Sequence, residues 1–241
     1  MRVLLSLAWL AAGALFVAWH AGPGQDRVAL DDAGHLATQA LVEAEKGQWV
    51  QAVGYYDAAL SRLPAGQEPL ARKVRLERAK ARMLAEQLPE ARAELGTLVD
   101  ELQADPGAPP ELLSQARQAL ADAQYYVTWL LRLEGEPATV WEPEIESARQ
   151  LHRMLAEDAQ QEGRATEATE HREDVEATIR LERMDLSELQ ALKLPAQCCN
   201  CKGGACKGAC RKQGRNPGRS MNDAKDARGA SLGPPPDDSG N

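Results

Sequence analysis

The chain has 241 residues, enough for one domain with extensions, and it is rich in Ala, Leu, Glu, Gln and Arg, the residues that cost least in a helix. Phenylalanine occurs once, at Phe16, and Val, Ile and Thr are scarce, so little material for strands exists and an all-α fold is predicted. The formal charge of −8 is unevenly spread, because Lys202, Lys207, Arg211, Lys212, Arg215 and Arg219 stand together without an acid and leave a strongly acidic body, which excludes nucleic acid as its partner.

Arg2 precedes an apolar run from Val3 to Trp19, and polar or turn-forming residues follow it. A positive start, an apolar stretch and a polar flank make residues 1–21 a secretory signal peptide or a single-span membrane anchor. Trp19 stands where cleavage before Gly22 would favour a small side chain, so both outcomes remain open. Either way the body is expected outside the cytoplasm, exported to a periplasm or held at the membrane by its N-terminal segment if that is uncleaved.

From Asp31 the apolar period changes to about 3.6 residues. Asp31 or Asp32 is expected to cap a first helix carrying Leu36, Ala40, Leu41 and Ala44, with Gly47 as its stop. A second helix carries Trp49, Ala52, Val53, Tyr56, Ala59 and Leu60 and stops at Pro64-Ala65-Gly66. A third runs from about Glu68 to Ala85, and a fourth has Pro89 in its first turn and ends at Asp105-Pro106-Gly107. The fifth begins near Pro109-Pro110 and ends at Gly135-Glu136-Pro137, the sixth follows Trp141 and Pro143, and the seventh, more polar, follows Gly163 and reaches Met184. Short Pro/Gly connections make sequential helices antiparallel neighbours. Adjacent Tyr125 and Tyr126 cannot share one helix face, which predicts that one of them reaches a groove or rim. Trp49, Tyr56, Trp129 and Met154 read as core residues.

The spacing of Gly47, Trp49, Ala52, Tyr56, Ala59 and Pro64 resembles the second half of a tetratricopeptide repeat, with its best match over residues 47–64. A degenerate second unit follows with Ala79, Leu88, Ala91, Leu95 and Leu98, and Ala148 takes the small-residue role in a third. Ala91 follows Ala52 at more than the family's period of about 34 residues. The resemblance implies that residues 32–190 form antiparallel helix pairs in a right-handed α-solenoid. Its implied role is a non-enzymatic scaffold or adaptor that binds a protein or peptide partner, here in the cell envelope or periplasm.

All five cysteines fall in the segment 198–210. The spacing of Cys198, Cys201, Cys206 and Cys210 resembles a zinc knuckle in its first two gaps, although Cys206 stands where that family has histidine. Four thiolates at this spacing can surround zinc, with Gly203 and Gly204 making the bend and Lys202 and Lys207 favouring the thiolate form. In an oxidising compartment the same thiols form disulfides and leave one odd cysteine. The alternative function is therefore a metal-binding or redox accessory protein working through this cluster. Residues 211–241, with Pro234-Pro235-Pro236, are too poor in apolar side chains to fold and read as a disordered tail.

Nothing in the sequence reads as a catalytic centre. The histidines His20, His35, His152 and His171 are scattered, and His152 has Ala156 where a helical metal pair would place its second ligand. Gly229-Ala230-Ser231-Leu232-Gly233 fits the nucleophile-elbow string but lies in the tail, with no strand before it. Glu142 with Glu144, and Glu170 with Asp174, read as solvated helix faces.

Overall fold

A computed structural model describes residues 9–13, 19 and 23–192. Those residues are all-α, without strands, and fall into α1 (Pro23–Glu45), α2 (Trp49–Arg62), α3 (Glu68–Leu84), α4 (Leu88–Ala104), α5 (Pro110–Leu133), α6 (Ala138–Gln161), α7 (Ala165–Arg183) and α8 (Leu186–Ala191), with residues 9–13 also helical. Among the described residues no helix is long and apolar enough to cross a membrane. The expected signal or anchor over 1–21 falls mostly outside them, as do Cys198–Cys210 and the tail 211–241 altogether.

Each helix from α1 to α7 packs on its neighbour in the chain. The close approach needed is supplied by alanines with no exposed surface, namely Ala40 and Ala52 in the first pair, Ala79 and Ala91 in the second, and Ala123 and Ala148 in the third. A larger side chain at any of these crossings would push the axes apart.

Four turns share one geometry. Gly47, Glu86, Gly135 and Gly163 have φ of 77°, 61°, 79° and 74°. The next residue in each case sends its N–H back to a carbonyl in the last helical turn: Gln48 to Glu43 at 2.9 Å, Gln87 to Arg82 at 3.0 Å, Glu136 to Leu131 at 2.9 Å and Arg164 to Ala159 at 2.8 Å. A left-handed residue followed by this long back-bond satisfies carbonyls that a helix end leaves orphaned. It recurs inside each of the pairs α1–α2, α3–α4 and α5–α6, and again at α6–α7.

Among the described residues two cores result, and α3 belongs to both. Val74 and Ala81 face Ala40, Ala44, Ala52, Val53, Tyr56 and Ala59 of α1 and α2. Leu76, Ala79 and Met83 face the larger cluster, which contains Leu95, Leu98 and Leu102 of α4, Trp129 of α5 and Ile145 of α6, and reaches Leu181 and Leu189. The remaining face of α3 carries Arg72, Arg75, Arg78 and Arg82, and all four meet carboxylates of α2, α4 or the turn after α4.

Three expectations about the elements are corrected. Helix α1 starts at Pro23, so Asp31 and Asp32 cap nothing and lie exposed along it; proline suits a first turn and Asp26 there favours the positive helix end. Helix α6 starts at Ala138 and runs through Pro143, because Ala138, Thr139 and Val140 are exposed and water can serve the carbonyl that proline leaves without a donor. Beyond Met184 the short α8 adds a turn, capped by Asp185, whose carboxylate accepts from the Glu188 N–H at 2.7 Å while Glu188 accepts from the Asp185 N–H at 3.0 Å. The signature Asp185-x-x-Glu188 is legible in the sequence. Hydrogen bonds from the Glu188 backbone and the Ser187 hydroxyl hold the Asp185 carboxyl below the ordinary aspartate range.

Candidate functional site

Helices α3 and α5 are not consecutive, yet they touch, and a groove of about 440 Å³ opens between them. Its floor is apolar, with Leu76 and Leu112 both buried, and its rim is polar, with Lys73 and Glu77 on one side and Glu111 and Gln115 on the other. Lys73, Glu111 and Gln115 are exposed, while Glu77 pairs with Lys80 at 2.9 Å. Such a trough offers hydrophobic contact below and directional hydrogen bonds at its edges.

The tyrosines expected at a rim are not there. Tyr125 and Tyr126 are both buried, as is Trp129, because α5 is enclosed by α4 and α6 and also touched by α3 and α8. From position 119 to 129 every residue of α5 is buried or half-buried, so that stretch has no outward face for the second tyrosine to occupy. The two rings meet edge-on at 5.9 Å between centroids, and Tyr125 tilts against Trp129 at 6.4 Å. Tyr56 is core as expected, and burial, with the Glu77 charge adding to it, pushes its hydroxyl pKa up. Met154, expected in the core, is exposed.

Charged residues join helices, Glu144 among them although it reads as part of a solvated face. Glu144 of α6 takes two hydrogen bonds from Arg92 of α4, at 2.5 and 3.1 Å. Arg132, at the end of α5, donates to the carbonyls of Leu181 and Met184 at the close of α7 and lies 4.8 Å over the Trp141 ring. Burial lowers the Arg132 pKa against the opposing charges of Asp185 and Glu182.

The scattered histidines are not all apart. His152 of α6 and His171 of α7 face each other with ring centroids 6.0 Å apart, and Asp174, one turn beyond His171, lies between them. Its Oδ2 is 3.6 Å from His152 Nδ1 and 3.8 Å from His171 Nδ1. His152 is 2% exposed and His171 is 7% exposed. The sequence carried a signal for this: His152 and Asp174 lie equally far from Gly163, so an antiparallel hairpin turning there sets them side by side. Burial pushes the nearby Glu170 carboxyl above the ordinary glutamate range, with the Asp174 charge reinforcing the shift and His171 opposing it.

The four thiol positions Cys198, Cys201, Cys206 and Cys210 lie outside the described residues, so no geometry attaches to a zinc or disulfide arrangement there. Compared with family models, curated proteins and solved structures, the chain matches none.

Proposed function

We propose that this chain is a non-enzymatic interaction scaffold, a tetratricopeptide-like right-handed stack of helix pairs that holds an extended segment of a partner protein in the groove between α3 and α5. The observation that carries the reading is that the first helices of two successive pairs lie side by side and line one trough. In a stack of helix pairs, the first helices share a common surface, and a peptide lying across it meets successive repeats. The recurring left-handed turn inside each pair supports the same reading, since it repeats one local geometry at the corresponding place of each unit. The partner segment would set apolar side chains on Pro109 and the edge of Leu112, and polar ones against Lys73, Glu77, Glu111 and Gln115. Carriage of the body outside the cytoplasm, tethered or released, belongs to this proposal and rests on the order of charge and apolarity over residues 1–21.

The test is affinity capture from solubilised membranes with the parent chain and with a Lys73→Glu, Glu111→Lys variant. Both positions are exposed, so the helical content by circular dichroism should not change. The parent is expected to recover the same partner reproducibly, and the variant to lose about tenfold or more of it, a difference of about 1.4 kcal/mol. Equal recovery by both chains, or no reproducible partner for the parent, would rule the groove out.

A further inference from the structure

We propose that His152, His171 and Asp174 form a site for a late first-row divalent cation, zinc foremost, which clips α7 onto α6. Two imidazole nitrogens and a carboxylate oxygen are the donor types that such ions take together. One ligand atom from each residue lies within 4.8 Å of the others. The Nδ1–Oδ2 separations of 3.6 and 3.8 Å are too long for hydrogen bonds. They are close to the roughly 3.3 Å that separates two ligands each about 2.0–2.1 Å from a tetrahedral ion. The three donor atoms are thus grouped at separations that small side-chain adjustments bring onto one ion.

An independent observation comes from His171, whose Nδ1 has no hydrogen-bond partner among the described residues although the side chain is only 9% exposed. A buried ring nitrogen without a partner is costly, and a metal ion accepts its lone pair directly. The arrangement also meets a need of the fold. Helix α7 brings few large apolar side chains to its neighbour, burying Ala168, Ala177, Thr178 and Leu181 beside His171. Coordination shared between two helices supplies cohesion that such small residues cannot. Binding requires both imidazoles neutral and Asp174 ionised, changes no oxidation state, and leaves one tetrahedral position for water. The site is separate from the α3–α5 groove in residues and in elements, so neither proposal depends on the other.

The test uses the full chain carrying Cys198→Ser, Cys199→Ser, Cys201→Ser, Cys206→Ser and Cys210→Ser, so that thiolates supply no competing site. Zinc chloride, titrated into this metal-free chain near neutral pH, is expected to bind in a single equivalent and to raise Tm by roughly 5 °C at a hundredfold excess over Kd. His171→Asn and Asp174→Asn, made separately, are expected to weaken zinc binding about tenfold or more. Should either variant fail to fold, imidazole NMR on the cysteine-free parent decides, with the His152 and His171 signals shifting on zinc addition and those of His35 staying in place. Zinc affinity unchanged in both variants, no binding by the parent, or unmoved His152 and His171 signals would each overturn the proposal.

Discussion

Glu94 shows how little of a residue's role its type reveals. On α4 it reads as one more helix-surface acid, yet its side chain is 7% exposed. It accepts from Arg78 and, at 2.8 Å, from Arg82, with Arg75 at 3.8 Å. Asp57 of α2 receives Arg78 from the other side at 2.5 Å, so one guanidinium joins α2, α3 and α4. Burial works against the Arg78 charge, but the hydrogen bonds and charges of Glu94 and Asp57 outweigh it and raise its pKa. Glu94→Gln should therefore cost about 2–3 kcal/mol in urea denaturation, because Arg78 and Arg82 stay half-buried and lose a charged acceptor. Asp57→Asn, at a carboxylate 48% exposed, should cost less than about 1 kcal/mol. Equal losses at the two positions would show that burial does not govern the network.

At the scale of elements, the turns carry the repeat more faithfully than the side chains do. Glycine fills the left-handed position after α1, α5 and α6, but Glu86 fills it after α3 with φ of 61°. A side chain in that conformation costs roughly 1–2 kcal/mol, part of which glycine gives back through its larger unfolded entropy. Glu86→Gly is expected to raise stability by about 0.5–1 kcal/mol, read as a higher urea midpoint with an unchanged slope. A lower midpoint would mean that the Glu86 side chain contributes more than its backbone costs. The second unit departs from the family in its period, yet its turn at Glu86, without glycine, makes the same back-bond from Gln87 to Arg82 as the others.

For the whole molecule, the decisive feature is a chain of neighbour contacts with two cores meeting in α3. The first core rests mainly on alanines with Val53, Tyr56 and Val74, while the second includes several leucines, Trp129 and Ile145. Buried apolar area scales with side-chain size, so the first core is the weaker, and in a stacked array weak ends open without the rest. Single-tryptophan variants should report this in urea. A chain keeping only Trp49 is expected to lose its signal at lower denaturant than one keeping only Trp129. Coincident transitions would show instead that the arginine ridge of α3 couples the two cores into one cooperative unit.

The sequence by itself determined the all-α character, the seven long helices and most of their ends, since apolar period, proline in first turns and glycine at stops are local properties of the chain. Ala40, Ala52, Ala79, Ala91 and Ala148 were legible only as positions on apolar stripes or in a repeat resemblance, and their packing at helix crossings with no exposed surface came from the structure. Only the tertiary structure decided which charged and aromatic groups meet. The burial of both Tyr125 and Tyr126, the hub at Glu94 and the convergence of His152, His171 and Asp174 depend on what lies opposite each helix. A helix carries its side chains in a direction set by its own backbone, but the dielectric and the partner each one finds are set by its neighbours.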